Sequence, residues 1–384
     1  RWIVATGGAP KSRASTTMAT MSGREDRAYM RRALTLAERG WGRVHPNPLV
    51  GAVVVRDGEV VGEGFHGEYG GPHAEVVALR AAGERARGAT LYVTLEPCSH
   101  FGKTPPCVDA IQDAGVARVV IAAEDPSPRA GGGAERLRAA GTEVEVGLER
   151  DAARAQNAIF HHSVEREVPY VALKYALSLD GRLAATPGRP STVTGPESHT
   201  EVHRLRAGFD AILVGIGTAL ADDPLLTVRG ELTPRVPPIR IIVDSDARLP
   251  LDSRLLDTLD VAPLWVLCAE DAPADRKHAL ESRGARILAA ARTEHGIALD
   301  VALAQLWEEG VRSIFCEGGG RLGASFLEGD QVERLYLFYA PKLFGRDGVP
   351  AFPGRVGAAL HEGWRRLAAR TFGEDVLMIV DRSR

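Results

Sequence analysis

This sequence of 384 residues has few cysteines, no long apolar run and no excess of charge of either sign. The four cysteines, Cys98, Cys107, Cys268 and Cys316, are too few for a secreted scaffold held by disulfides, so we expect a reducing compartment. No apolar run approaches the about 20 residues of a membrane helix, which predicts a soluble protein. The 47 basic and 50 acidic side chains nearly cancel, and no basic stripe with interleaved aromatics occurs. These features argue against nucleic acid and membrane partners and favour a small-molecule substrate.

The first 22 residues contain three basic side chains, no acid and many serines, threonines and glycines. Such a composition is typical of an organelle transit peptide, but also of a start site assigned upstream of Met18 or Met21, which is the interpretation we favour. In either case we expect residues 1–22 to be disordered and to lie outside the fold.

The length and the order of predicted elements indicate two α/β domains. One ordinary core does not accommodate 384 residues. Strands and helices alternate in both halves, which is the pattern of layered α/β domains. A charged, helix-prone stretch without a strand signal separates the halves. We therefore predict a disordered extension at 1–22, a first domain at 23–147, a linker at 148–167 and a second domain at 168–384.

Hydrophobic periodicity predicts the individual elements. The dipeptide Asp57-Gly58 tolerates the positive φ angles of a tight hairpin turn between two valine-rich strands. In the first half the pattern predicts strands at 51–56, 59–65, 90–95, 117–122 and 142–146, and helices at 25–39, 74–87, 106–114 and 134–140. In the second half it predicts strands at 170–175, 211–214, 239–243, 264–268, 313–316, 332–339, 367–371 and 376–380, and helices at 197–207, 299–309 and 322–327.

A histidine, two cysteines and a glutamate form the most informative cluster. His73 precedes a predicted helix, Cys98 follows a predicted strand, and Cys107 opens another predicted helix. An imidazole and two thiolates supply three zinc ligands and leave the fourth tetrahedral position to water, as in catalytic zinc sites. Glu75 lies too close in sequence to His73 to ligate the same ion easily, but it is well placed to contact the water and move protons. The cluster therefore predicts a zinc-dependent hydrolytic deaminase.

Alternatives stay open for this cluster. In a structural zinc site His100 is the only obvious fourth ligand, and the protein would then be a zinc-stabilised binding or assembly module. Such a site does not explain the glutamate beside His73. The spacing also departs from the general deaminase signature, because eight residues rather than two separate Cys98 from Cys107.

The segments 45–51, 71–75 and 97–107 resemble the deaminase motifs of the bifunctional deaminase/reductase family of riboflavin biosynthesis, and the long interval between the cysteines is typical of that family. The resemblance extends from about residue 25 to the C-terminus. It implies a cytidine-deaminase-like three-layer domain followed by a dihydrofolate-reductase-like domain. It also implies deamination of 2,5-diamino-6-(5-phosphoribosylamino)pyrimidin-4(3H)-one in a pocket lined by Asn47, His66, His100 and Lys103, whose side chains offer donors and, in Asn47, an acceptor.

The segments 174–182, 210–215 and 217–229 resemble the reductase domain of the same family. The resemblance implies that NADPH reduces the ribosyl group of the deaminated product to a ribityl chain. It places at the substrate Arg206, Leu226, Arg229 and Glu317. It places at the cofactor Ala176, Thr218, Asp222, Ser245, Gly319, Gly320, Arg321, Leu322, Gly323, Ala324 and Ser325.

Two observations bear on these reductase assignments. The guanidinium groups of Arg206 and Arg229 suit a ribose 5-phosphate. Thr192 stands where the family often has an aromatic residue beside the cofactor, and this departure leaves open an enzyme that deaminates but whose second domain is inactive or structural.

A glycine-rich turn at 317–323 lies between a predicted strand and a predicted helix, where backbone amides can approach a phosphate. The same residues satisfy Gly-x-Gly-x-x-Gly, so a Rossmann fingerprint is a competing interpretation, and an ordinary helix-start turn is another. We discount the Rossmann interpretation, because the motif lies near the chain end and we expect no following parallel βαβ unit with a terminal acid.

The combined hypothesis is a bifunctional enzyme that uses Zn²⁺ in its first domain and NADPH in its second. We expect a cytoplasmic homo-oligomer that acts on a phosphoribosylamino-pyrimidine and binds neither nucleic acid nor membrane.

Overall fold

The computed structural model describes residues 13–102, 105–128, 131–189, 191–353 and 363–383, with side chains from residue 23 onward. The chain divides into two compact units, Arg1–Asn157 and Ala158–Arg384. The division falls inside the segment 148–167 that we predicted to be a linker. That segment consists largely of two helices, one at the end of the first unit and one at the start of the second. Among the described residues, no helix combines the length and the apolarity that a bilayer span requires.

The first unit is built on one mixed sheet. Its strands are β1 (Gly51–Arg56), β2 (Glu59–Phe65), β3 (Thr90–Leu95), β4 (Arg118–Ala123) and β5 (Glu143–Val146), in the order β2-β1-β3-β4-β5. β1 runs antiparallel to β2 and β3, whereas β3, β4 and β5 are parallel. The helices are α1 (Arg13–Ala37), α2 (Ala74–Ala82), α3 (Cys107–Asp113), α4 (Gly133–Ala139) and α5 (Arg150–Gln156).

Helices cover both faces of this sheet. Along β1, Ala52 and Val54 point into a core shared with α2, α3 and α4. The opposite face carries α1, and Gly51 lies directly against the backbone of Ala33 in that helix. Because side chains alternate along a strand, a fully buried strand such as β1 needs a layer on each side. The three-layer architecture expected for this domain is confirmed.

The second unit has a longer sheet. Its strands are β6 (Tyr170–Ser178), β7 (Arg182–Ala184), β8 (Ala211–Gly215), β9 (Ile239–Val243), β10 (Leu264–Ala269), β11 (Arg286–Ala290), β12 (Arg292–Thr293), β13 (Gly296–Ile297), β14 (Ser313–Cys316), β15 (Arg334–Ala340), β16 (Val349–Pro350), β17 (Trp364–Phe372) and β18 (Asp375–Arg382). Its helices are α6 (Ala158–Glu165), α7 (Pro196–Arg206), α8 (Ile216–Asp222), α9 (Arg254–Asp257), α10 (Ala274–Ser282), α11 (Leu299–Glu308) and α12 (Gly320–Glu328).

The main sheet of the second unit has the order β11-β10-β9-β8-β14-β6-β15-β18-β17. It is parallel from β11 to β15 and ends in an antiparallel pair, β18 and β17. Ala211 and Leu213 of β8 enter one core and Ile212 and Val214 enter another, so this sheet is also covered on both faces. The expected reductase-type α/β domain is confirmed.

Most predicted elements are present within a few residues of their expected bounds, and both φ angles of Asp57-Gly58 are positive as expected. Helix α1 is described from Arg13, whereas we had expected residues 1–22 to be disordered, and residues 1–12 lie outside the described ranges. No proline or glycine interrupts 13–22, so a helix started there can propagate.

The argument against a Rossmann-type crossover was wrong in part. β14, α12 and β15 do form a parallel βαβ unit, because β14 and β15 both pair parallel to β6, which lies between them. The terminal acid is nevertheless missing, since β15 ends at Ala340 and Pro341 and Lys342 follow. The missing acid still counts against a dinucleotide fingerprint of the Rossmann kind.

Candidate active sites

Three segments of the first unit bring the predicted zinc ligands together. His73 is the N-cap residue of α2, Cys107 is the first residue of α3, and Cys98 follows the end of β3. The ligand atoms all lie within 4.8 Å of one another. His73 Nδ1 is 3.1 Å from Cys107 Sγ and 3.6 Å from Cys98 Sγ, and the backbone N–H of Cys107 donates to Cys98 Sγ at 3.3 Å.

The donor set fits zinc. One imidazole nitrogen and two sulfurs are the ligands of catalytic zinc sites with an open fourth position. Within the described ranges no fourth histidine, cysteine, aspartate or glutamate joins the group, and His100 is exposed on the following loop. The geometry therefore counts against a closed structural site completed by His100.

The electrostatics of the group favour one thiolate. The hydrogen bond from the Cys107 thiol lowers the pKa of Cys98, and the same bond together with burial raises the pKa of Cys107. The hydrogen bond with Cys98 likewise raises the pKa of His73. A cation that binds here replaces the protons that remain on Cys107 and His73, so its affinity rises with pH.

Glu75 lies in the first turn of α2 and is almost fully buried, with 3% of its surface exposed. Burial raises the pKa of its carboxyl group, and Cys107 is a hydrogen-bond partner of that group. The carboxylate therefore faces the sulfur ligands and lies inside the site, where a proton-transfer residue has to be.

A hydrogen-bonded pair, Asn47 and His66, lies next to the ligands. His66 Nδ1 is 3.1 Å from the Pro72 carbonyl oxygen, and its Nε2 is 3.1 Å from Asn47 Nδ2. Burial lowers the pKa of His66, so the neutral ring donates through Nδ1 to Pro72 and accepts at Nε2 from the Asn47 amide. The His66 ring also packs edge-on against His73 at 5.5 Å between centroids. Lys103, the remaining predicted pocket residue, lies outside the described residues.

In the second unit a cleft of about 1380 Å³ opens at the carboxyl ends of β6, β8, β9 and β14. Most of the predicted reductase residues line it: Ala176, Arg206, Thr218, Asp222, Leu226, Ser245, Glu317, Gly319, Gly320, Arg321, Leu322 and Ser325. Gly323 and Ala324 are buried and Arg229 is exposed, and these three residues do not line the cleft. Of the segment that departs from the family pattern, Ser191 lines the cleft, Thr192 does not, and Pro190 lies outside the described residues.

A triad of charges lies in the wall of this cleft. Glu317 Oε1 accepts from Arg206 Nε at 2.5 Å, and its Oε2 accepts from Lys174 Nζ at 3.3 Å. Burial opposes ionisation of Glu317, but Arg206 and Lys174 hold its pKa at about 2. Lys174 was not among the predicted site residues. A lysine inside the otherwise apolar strand β6 is the signal that could have indicated it.

Strained backbone supports one side of the cleft. Leu226 has φ 49°, a conformation that costs a branched residue free energy. The next carbonyl, that of Thr227, accepts from Arg206 Nη1 at 2.9 Å. The loop is therefore fixed to the residue that also pairs with Glu317. Arg229, further along the same loop, donates its backbone N–H to His203 Nδ1 on α7 at 3.2 Å.

The predicted glycine-rich turn has the expected place. β14 ends at Cys316, Gly319 is the N-cap residue of α12, and the helix continues for nine residues. The turn faces the cleft through Gly318, Gly319 and Gly320. Backbone amides at a helix N-terminus suit a phosphate group, as the sequence predicted.

Comparisons with known proteins agree with both units. Residues 23–123 match the cytidine and deoxycytidylate deaminase zinc-binding region, and residues 169–378 match the RibD C-terminal domain.

Relatives match over nearly the whole chain. The riboflavin biosynthesis protein RibD of Aquifex aeolicus is 44% identical over 361 residues, with 93% of this chain and 98% of that protein covered. The RibD protein of Escherichia coli is 41% identical, with 92% and 98% covered.

Two solved structures are also similar. Acinetobacter baumannii RibD, form 1, has a TM-score of 0.79 at 35% identity and covers 94% of this chain and 100% of its own. The Thermotoga maritima diaminohydroxyphosphoribosylaminopyrimidine deaminase/5-amino-6-(5-phosphoribosylamino)uracil reductase has a TM-score of 0.77 at 34% identity, with 94% and 99% covered. The ligand geometry, the cleft and these matches lead to one conclusion: the chain belongs to the RibD family of riboflavin biosynthesis proteins.

Proposed function

We propose that the first unit deaminates 2,5-diamino-6-(5-phosphoribosylamino)pyrimidin-4(3H)-one and that the second unit reduces the ribosyl group of the product, giving 5-amino-6-(5-phosphoribitylamino)uracil. The chain is a bifunctional deaminase and reductase of riboflavin biosynthesis. The main support for the proposed deamination is that His73, Cys98 and Cys107 converge within 4.8 Å, with the buried Glu75 beside them.

His73, Cys98 and Cys107 would hold a Zn²⁺ ion. When bound, the ion supplies an activated water molecule at neutral pH. Glu75 accepts a proton from the attacking water and delivers it to the ring amino group, which leaves as ammonia while the water oxygen stays on the ring carbon. A buried carboxyl with a raised pKa can hold that proton between the two events.

Asn47 and His66 orient the ring. Because the Asn47 amide NH₂ donates to His66, the Asn47 carbonyl oxygen is left to accept from the substrate. His66 acts mainly through Asn47, although we had predicted that it lines the pocket itself.

In the second unit NADPH would supply a hydride to the sugar carbon. The amides of the turn at Gly319 and Gly320 would bind its phosphates, and Ala176, Thr218, Asp222 and Ser245 would line the rest of its site. Arg206 would bind the substrate phosphate or sugar oxygens at the Glu317 end of the cleft, and Lys174 offers a proton there. The ion pairs among Lys174, Arg206 and Glu317 in the wall of the cleft support an active second domain.

The Glu75→Gln variant tests the deaminase assignment. We expect it to retain zinc but to lose ammonia release by at least about a hundredfold, because a proton-transfer residue contributes about 10²–10⁴-fold. A mass-resolved assay of both steps, with purified protein, zinc and NADPH, measures each product. NADPH oxidation on the deaminated substrate is the control and should not change. Ammonia release at the wild-type rate would exclude this role for Glu75.

The cytoplasmic location, the homo-oligomeric state and the absence of nucleic acid partners stay predictions from the sequence.

A further inference from the structure

The segment that carries Cys98 has no regular secondary structure. Residues 96–99, which we name the strap, follow the end of β3 and precede α3. Two backbone contacts hold it, from the Glu96 N–H to the Ala123 carbonyl at 2.9 Å and from the Val108 N–H to the Cys98 carbonyl at 3.3 Å. An irregular segment needs further contacts to keep a ligand sulfur within the narrow distances that zinc requires.

Most of those contacts come from residues 131–136, which we name the brace and which contain the first turn of α4. Glu96 is 9% exposed, and its two carboxylate oxygens accept from the backbone N–H groups of Ala134 at 2.9 Å and Asp125 at 3.3 Å. The Ser99 hydroxyl donates to the Gly131 carbonyl at 2.8 Å. The strap is therefore bonded to the brace on both sides of Cys98.

The brace and the strap also touch backbone to backbone. A Cβ atom at Gly133 would lie 1.9 Å from the Pro97 carbonyl oxygen, far inside any van der Waals contact. Only glycine allows α4 to start this close to the residue before the Cys98 ligand. Any larger residue at Gly133 has to move the strap or the helix.

One arginine of the brace joins the segments of both cysteine ligands. Arg136 Nη1 donates to the Ser99 carbonyl at 3.1 Å, and its Nη2 donates to Asp109 Oδ1 at 2.5 Å. Ser99 follows the ligand Cys98, and Asp109 lies two residues after the ligand Cys107 on α3. Arg136 thus links the two sulfur-bearing segments without contacting either sulfur.

We propose that Glu96, Gly133 and Arg136 are positioning residues that set the spacing of the Cys98 and Cys107 sulfurs and so control how long the site retains zinc. This inference rests on the proposed zinc site of the first unit. None of the three residues is a ligand in the group His73, Cys98 and Cys107, so each acts only through the segments that carry the ligands.

Zinc release from the full-length holoprotein into a chromogenic chelator tests the proposal. We expect Glu96→Gln and Arg136→Gln to release zinc about 10-fold faster or more, the range in which outer-sphere contacts affect metal sites. In Glu96→Gln the side chain keeps its shape, but its new NH₂ group faces one of the two backbone N–H donors and cannot accept that hydrogen bond. Gly133→Ala should show the same direction with a larger effect, because the added methyl group displaces the strap.

Matched controls separate positioning from general damage. Arg138→Gln makes the same substitution on the same helix, but Arg138 contacts the Val144 carbonyl rather than the strap, so its release rate should equal that of the wild type. Glu135→Gln is the corresponding control for Glu96, since Glu135 is exposed on α4. The thermal transition of the first unit, measured by calorimetry, reports that each variant is folded, because all of these substitutions lie in that unit.

The outcomes are distinguishable from failure of the zinc assignment itself. If the wild-type protein binds no zinc and releases no ammonia, the proposed function falls. If the wild type does both, and Glu96→Gln and Arg136→Gln release zinc within about twofold of it, only the positioning role is overturned. Arg136 is 44% exposed, so its variant is expected to fold even if Gly133→Ala does not.

Discussion

The buried hydroxyl of Tyr175 offers a sharp test of packing beneath the reductase cleft. Tyr175 is 1% exposed, and its hydroxyl has no hydrogen-bond partner among the described residues. It lies against Gly323 in the first turns of α12, where an added Cβ would be 1.8 Å from the hydroxyl oxygen and 3.2 Å from Leu173 Cδ2. Gly323 was predicted to contact the cofactor, but the structure shows a second reason for glycine here, which is to leave room for this phenol.

Two opposite effects follow for substitutions at these positions. Tyr175→Phe removes a desolvated, unpaired hydroxyl and should stabilise the second unit by about 1 kcal/mol. Gly323→Ala gains about 1 kcal/mol of helix propensity but forces overpacking that costs about 1–3 kcal/mol, and more at such a short distance. In the Tyr175→Phe background the 1.8 Å contact disappears, while the contact with ring atom Cζ at 2.8 Å remains. Gly323→Ala should therefore cost less in that background by about 1–2 kcal/mol.

Differential scanning calorimetry of the four proteins in this double-mutant cycle measures the coupling. For a unit of this size, about 1 kcal/mol corresponds to a shift of about 2–4 °C in Tm. We expect Tyr175→Phe to raise the Tm of the second unit's transition and the double variant to lie near the wild type. The first unit's transition is the internal control. A lower Tm for Tyr175→Phe, or an equal cost of Gly323→Ala in both backgrounds, would refute the packing argument.

Two further predictions concern the two sites. Removal of zinc by a chelator, or substitution Cys98→Ala, should abolish ammonia release and leave NADPH oxidation on the deaminated substrate unchanged; equal loss of both activities would contradict independent chemistry in the two units. The pKa of Glu317 is lowered to about 2, so its ion pairs with Arg206 and Lys174 stabilise the fold at pH values above the ordinary glutamate pKa. This contribution is about 3 kcal/mol at most, and it is lost as the pH falls through about 2. Urea unfolding of the second unit between pH 6 and pH 3, as approximate limits, should therefore show a smaller pH dependence in Glu317→Gln, and equal slopes would argue against the triad.

Local sequence singled out the group His73, Cys98 and Cys107, which the structure brings together, because the surroundings of each residue are local. His73 and Cys107 lie at helix starts and Cys98 follows the end of a strand, and such transitions are visible in hydrophobic periodicity. Glu75 was found in the same way, since its position in the first turn of α2 follows from its distance to His73. The glycine-rich turn before α12 was also correctly located, between β14 and the helix.

Several short elements of the second unit had no predicted counterpart. α8 follows β8 without a break in apolar composition, so periodicity did not separate them. α10 has a polar sequence with only Leu280 fully buried, and therefore shows little amphipathic pattern. β7 and β16 pair with each other across most of the unit's sequence, a register that depends on non-local packing.

The reductase site depended more strongly on tertiary structure. Lys174, Arg206 and Glu317 come from β6, α7 and the turn after β14, and their ion pairs span separations of more than 100 residues along the chain. No periodicity relates such residues, because the order of strands in the sheet decides which ends are neighbours. The same reason explains why the parallel crossover from β14 to β15 was missed.

By itself, the sequence determined the fold class of each unit, singled out His73, Cys98 and Cys107, which the structure brings together, with Glu75 beside them, and located the glycine-rich turn. These features are encoded in residue types at short spacing, where helix starts and strand ends follow from local chemistry. Only the tertiary structure decided that Arg136 joins the two cysteine segments, that His66 acts on Asn47, and that Gly323 accommodates Tyr175. Those contacts arise when distant segments pack at van der Waals distance, and close packing is a property of the folded chain rather than of any segment.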